Sequence, residues 1–213
     1  MSVPTYALID SLVADLVPVR RARARDGLLI FASLAVLAMV VVARWLGLRA
    51  DLAAGDPALM VVVRSAALAL IASATISAVV AAARPAVGER ATGWMWALAA
   101  AALLPAASLF LALRDGVNPN AVFANSVYWC FGVSLSAAIM MSAVMVMWLR
   151  QGAVTEPLRA GTLTGLASAA AGAFAYNLHC PSSSIHYAAL WYGSVLVVGA
   201  LAGRAILPRF LRW

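Results

Sequence analysis

Six long apolar stretches, separated by short polar links, constrain this chain more than anything else in its sequence. A stretch of about 20 apolar residues makes a helix long enough to cross a hydrocarbon core of about 30 Å. The expected spans fall at about 28–48, 62–83, 94–113, 127–148, 160–178 and 188–207, with edges set by where apolar sequence gives way to polar. The chain is 65% apolar and 11% charged, whereas soluble domains carry roughly a quarter charged residues. The expectation is an all-α integral membrane protein, a six-helix bundle, with a short amphipathic N-terminal cytoplasmic helix.

The charge pattern orients it. All 15 basic residues are arginine, for a net charge of +7. In a soluble chain that charge would point to nucleic acid, but here the arginines flank spans, so no direct nucleic-acid partner is expected and the basic surface meets membrane lipid. Arg20, Arg21, Arg23, Arg25, Arg84, Arg90, Arg150, Arg159, Arg204, Arg209 and Arg212 fall on the side of both termini. Arg44, Arg49, Arg64 and Arg114 fall on the other. The positive-inside rule then places both termini in the cytoplasm. A cleaved signal peptide is excluded by the long leading segment with Asp10, Asp15 and Asp26 and by the lack of a small-residue cleavage site after the first apolar run.

The sequence divides into residues 1–26, a cytoplasmic segment with a basic hinge, and residues 27–213, the membrane domain. In the first part Leu8, Ile9, Leu12, Val13 and Leu16 form one helical stripe, with Asp10 and Asp15 beside it. A helix that lies on lipid usually carries Lys or Arg on its polar face. An acidic amphipathic helix fits the groove of a partner protein better; packing against the chain's own bundle is the alternative. Within the membrane part, small residues four apart mark expected close helix contacts at Gly132/Ser136, Gly161/Gly165 and Gly199/Gly203. Pro105 lies inside span three and should kink it. Arg64 is expected to snorkel to the surface at the start of span two. Trp94, Tyr128, Trp129, Trp148, Tyr187, Trp191, Tyr192 and Trp213 sit near span ends, as interfacial belts do.

The densest chemistry lies in Ala175–Tyr187, which holds His179, His186, Cys180 and three consecutive serines. The topology puts Cys130, at the start of span four, on the same outer side as Cys180. Three readings stand: two unrelated small apolar cysteines, a disulfide, or a soft-metal site formed by Cys130, Cys180 and His179. His186 is read as an interfacial hydrogen-bonding residue. No resident cofactor is expected, only a transient heavy-metal ion. No acid–base pair or phosphate loop is present, so the chain is not read as an enzyme. A second class, a small membrane transporter or cofactor-bearing membrane subunit, would need polar midplanes or histidines within the spans.

Leu178-His179-Cys180-Pro181, Trp191-Tyr192-Gly193, the ending Leu211-Arg212-Trp213, the opening Leu8-Ile9 through Asp15-Leu16 to Pro18-Val19, and Cys130 together resemble the NrsF-type six-span negative regulators of extracytoplasmic-function sigma factors of the sigma-F class. The resemblance implies an anti-sigma factor. Leu8, Ile9, Asp10, Leu12, Val13, Asp15 and Leu16 would hold an extracytoplasmic-function sigma factor at the membrane. Cys130 and Cys180, with His179 beside them, would take part in sensing heavy-metal or oxidative stress.

Overall fold

The computed structural model describes residues 9–10, 13–14, 23–83, 93–123 and 127–211. All regular structure among them is helical. Six long helices carry the fold: α1 (Ala24–Trp45), α2 (Leu59–Ala82), α3 (Gly93–Asp115), α4 (Val127–Leu149), α5 (Pro157–Asn177) and α6 (Ile185–Ile206). Most begin a few residues before the expected apolar run. The reason is visible at α5, where Pro157 occupies the first turn and starts the helix ahead of its apolar part. Helix α3 runs on through Pro105. Four of the six, α1, α2, α4 and α6, are long and apolar enough to cross a membrane.

Helix α5 is the centre of the bundle. It packs against α1, α2, α4 and α6, and nearly all its residues are buried. Its sequence explains this position, being mostly Ala, Gly, Ser and Thr. Such side chains offer little to lipid but let neighbouring backbones approach closely. A methyl on Gly161 would lie 2.6 Å from the Gly203 carbonyl oxygen, and one on Gly199 would lie 2.9 Å from that of Gly165. The expected contacts at these four glycines are therefore the α5–α6 crossing. Gly132 is different: nothing lies within 4 Å of the place a methyl would take, and Ser136 is exposed. The close approach on α4 falls instead at Ser134, whose carbonyl leaves no room for a side chain on Gly172 of α5.

Contacts at the helix ends define two poles. At one, Ala153 N–H donates to the carbonyl of Ala83, the last residue after α2, at 3.2 Å, and the start of α1 meets the end of α4 at Gly27 and Trp148. At the other, the α1–α2 loop meets the chain between α5 and α6 through Arg49 N–H donating to the Leu178 carbonyl at 3.0 Å. A helix of 22 residues such as α1 separates the poles by about 33 Å at 1.5 Å per residue.

The aromatic belt is only partly as expected. Tyr128 and Trp129 are exposed, but Trp148, Tyr187 and Tyr192 are buried. Trp148 is covered by α1 at Gly27, where the missing side chain leaves space for the ring. The two tyrosines turn inward because α6 contains a π-helical stretch, Ala188–Tyr192. Its i→i+5 bonding widens the turn, so residues five apart come nearer to a common face.

Candidate functional site: a buried thiol pair under a polar cap

The last turn of α5 carries straight into the site. His179 and Cys180 N–H both donate to the Tyr176 carbonyl, at 2.9 and 3.0 Å. Pro181 then ends the helical turn, since its ring cannot continue it. Ser184 restarts the chain as the cap of α6, its Oγ accepting from Tyr187 N–H at 3.3 Å. These local rules hold Cys180 against the bundle rather than in an open loop.

Cys130, in the first turn of α4, and Cys180 are both free thiols with no exposed surface. They are neighbours in one buried cluster, within electrostatic reach of each other and of Tyr176, Tyr192 and Arg64. Tyr187 and Tyr192 lie beside Cys130. The Tyr192 hydroxyl touches the Cys180 thiol without making a well-formed hydrogen bond.

Arg64 corrects the sequence-based expectation. It does not snorkel; it is fully buried. Its Nη1 donates to the Ser182 carbonyl at 3.1 Å, and its guanidinium lies 5.2 Å from the centre of the Tyr192 ring. Its Nε and Nη2 have no hydrogen-bond partner, and no carboxylate pairs with it among the described residues. The Ser182 carbonyl and the Tyr192 ring lie against it, and the negative ring face supplies part of the stabilisation that water would give. Beside it, Asn177 Nδ2 donates to Ser65 Oγ at 2.7 Å and ties α5 to α2, leaving the buried Asn177 Oδ1 unpartnered.

Above the thiols lies Arg49, from the α1–α2 loop. Its Nη1 donates to the carbonyls of Cys180, at 2.5 Å, and Ser182, at 3.2 Å, and its Nη2 donates to Ser183 Oγ at 3.1 Å. Asp51 grips the same guanidinium in two places, Oδ1 at 2.8 Å from Nε and Oδ2 at 3.1 Å from Nη2. The hydrogen bond from Arg49 is the main cause that lowers the Asp51 carboxyl from 3.8 to about 2.

His179 is engaged by the α1–α2 loop and by Tyr176. Its Nδ1 is 3.1 Å from the Gly47 carbonyl, and its ring packs edge-on to Tyr176 at 5.8 Å. Among the described residues no three His, Cys, Asp or Glu side chains form a group that could hold a metal. His186 does hydrogen-bond across helices, its Nδ1 2.9 Å from Ser108 Oγ of α3. Of the N-terminal stripe, Ile9, Asp10 and Val13 are helical and exposed. Leu8, Leu12, Asp15 and Leu16 lie outside the described residues.

Sequence reasoning brought the two cysteines to one pole but missed Arg49, Arg64 and the three tyrosines around them. Arg64 offered a signal, as a charge one turn inside an otherwise apolar helix. Arg49 offered none, because the groups it grips in the thiol segment, the Cys180 and Ser182 carbonyls and Ser183 Oγ, are more than 130 positions away.

The architecture and site define a helical protein of membrane type built around a buried thiol pair, with no catalytic constellation among the described residues. Comparison with known families makes this specific. Residues 12–213 match the family described as "NrsF: Negative regulator of sigma F", and the chain belongs to that family, whose role is regulatory. It is 30% identical over 211 residues to "Anti-sigma-F factor NrsF" of Caulobacter vibrioides (strain NA1000 / CB15N), across 94% of this chain and 96% of the relative. It is 27% identical over 119 residues to "Probable anti-sigma-F factor NrsF" of Azospira oryzae (strain ATCC BAA-33 / DSM 13638 / PS), across 56% of this chain and 53% of that one. No solved structure matches the chain.

Proposed function

We propose that the chain is an inner-membrane anti-sigma factor of six spans with both termini in the cytoplasm. Its N-terminal segment, residues 1–26, sequesters an extracytoplasmic-function sigma factor. Family membership supports the regulatory role, and the exposure of Ile9 and Val13 on a helix supports a docking stripe. The arginine distribution supports the orientation. α3 and α5 complete the six spans, α5 being shielded from lipid by the helices around it.

The sensing half of the proposal rests on one observation above all. Cys130 and Cys180, fifty positions apart, are free, buried and within electrostatic reach of each other at the pole opposite the start of α1. Two neighbouring thiols suit a soft metal ion or an oxidant that joins them. Either event draws the two sulfurs into one bond or onto one ion, and so changes the geometry of the chain around Cys180. The signal then favours a conformation that holds the sigma factor less tightly.

Two experiments separate the halves. Capture of the sigma factor on membranes should be lost when residues 1–19 are removed; undiminished capture sinks the docking reading. Replacing both Cys130 and Cys180 by serine should abolish release by cadmium ion or diamide while sigma capture stays intact, and a normal response in that variant rejects thiol sensing.

A further inference from the structure

We infer that Arg49 couples the thiol site to helix α1, as a positioning residue that passes a displacement of the Cys180 segment to the helix leading back to the N-terminal segment. The inference rests on the thiol-sensing reading above.

Arg49 belongs to the α1 side of the contact. It follows the end of α1 by four residues, and Asp51 fixes its guanidinium to its own loop from two directions. Asp51 is itself held, accepting from Leu52 N–H at 3.0 Å and Ala58 N–H at 3.3 Å. What the guanidinium reads belongs to the other side: the carbonyls of Cys180 and Ser182 and the Ser183 hydroxyl. Two further stitches join the same pair of segments, Arg49 N–H to the Leu178 carbonyl and His179 Nδ1 to the Gly47 carbonyl. Among the described residues these polar contacts between α1's loop and the thiol segment lie at Arg49 or, through Gly47, two positions before it.

The two arginines of the cap divide the work. Arg64 sits on α2, whose apolar window is 44% buried, and it ties Ser182 to the core. Helix α1 is only 17% buried, with Gly27, Phe31 and Val42 as its buried residues. Fewer buried residues hold α1 than α2, so a movement at its loop end is passed along it as a rigid rod. A change at Cys180 moves its carbonyl, and that carbonyl is the one the Arg49 fork grips. The two states thus differ in a named set of hydrogen bonds, as a coupled device requires.

The test uses the full chain in liposomes with its sigma factor, measuring sigma affinity with and without cadmium ion, and separately with diamide. Cadmium binding to the pair releases two thiol protons; diamide takes up two protons and two electrons as the thiols join. Wild type should show a ratio of affinities of about tenfold or more. Arg49→Gln should bring the ratio within about twofold of one while the thiols react with either probe at the wild-type rate. Arg49→Lys, which keeps the charge but loses the planar fork, should fall between. Full retention of the ratio in Arg49→Gln overturns the coupling. If Arg49→Gln does not fold, Asp51→Asn, which loosens the fork without touching the Cys180 segment, must reduce the ratio, and an unreduced ratio overturns it equally. A ratio that persists when both cysteines are serine sinks thiol sensing and the coupling together. A ratio lost in that variant but kept in Arg49→Gln sinks the coupling alone.

Discussion

Gly27 of α1 lies against the indole of Trp148 at the end of α4, so close that a methyl in its place would come within 2.6 Å of the ring. This contact anchors α1 at the pole where it begins, as Arg49 anchors it at the thiol pole. Gly27→Val should displace α1 or the indole and cost about 1–3 kcal/mol, the usual penalty for overpacking. Denaturation in detergent would measure it, and adding Trp148→Ala should return much of the loss. Additive effects of the two changes would show that the contact is not the cause.

The α5–α6 crossing gives a sharper contrast. Gly165→Leu has no room to form, because Gly199 and Gly203 backbone atoms occupy the space. It should prevent stable folding, seen as loss of a monodisperse species after solubilisation. Gly132→Ala meets open space and should stay within about 0.5 kcal/mol of wild type. Equal tolerance at both positions would contradict the packing.

Asp51 makes the cap pH-sensitive in acid. Its carboxyl is lowered from 3.8 to about 2, chiefly by the hydrogen bond from Arg49. Between these values the unfolded chain binds more protons, so stability rises with pH. The Asp51 contribution is complete above pH of about 4 and is lost as pH falls through about 2. Thermal unfolding across this window should show a slope that Asp51→Asn reduces; an unchanged slope would assign the acid sensitivity elsewhere.

Arg64 poses the opposite case, a buried charge with two unpartnered nitrogens. Arg64→Met keeps the length, removes the cost of burying charge, and loses the bond to Ser182 and the contact with Tyr192. These changes offset, so stability should move by no more than about 1 kcal/mol. A loss of about 3–5 kcal/mol on chemical denaturation would instead show a negative partner for the guanidinium, since breaking a buried pair costs that much.

Ile9 and Val13 are exposed at 48% and 58%. Changing either to Asp should leave the melting temperature unaltered. Each should weaken sigma capture by roughly tenfold or more, because an apolar anchor of this size contributes about 1.5–3 kcal/mol when buried. Wild-type capture by both variants would remove the stripe from the interface.

Much of the architecture is legible in the sequence because lipid imposes simple rules. Long apolar runs must become helices, and short links between them force neighbours to pack antiparallel. Alternation of direction then suffices to bring Cys130 and Cys180 to one pole. Gly161, Gly165, Gly199 and Gly203 likewise announced a close crossing, since the spacing puts each pair on one face. The same spacing at Gly132 and Ser136 marked nothing, because the face it defines on α4 is not the one turned towards α5.

By itself, then, the sequence determined the helices, their order, the common pole of the two thiols and the apolar stripe that includes Ile9 and Val13. Each of these follows from local periodicity or from alternation along the chain. Only the tertiary structure decided that Arg64 is buried, that Tyr187 and Tyr192 face inward, that His179 turns to Gly47, and that Arg49 grips the carbonyl of Cys180. Those outcomes depend on backbone carbonyls, a π-helical turn and residues more than 100 positions apart, which no residue pattern encodes. A carbonyl is present at every position, so only folding selects the one an arginine will find.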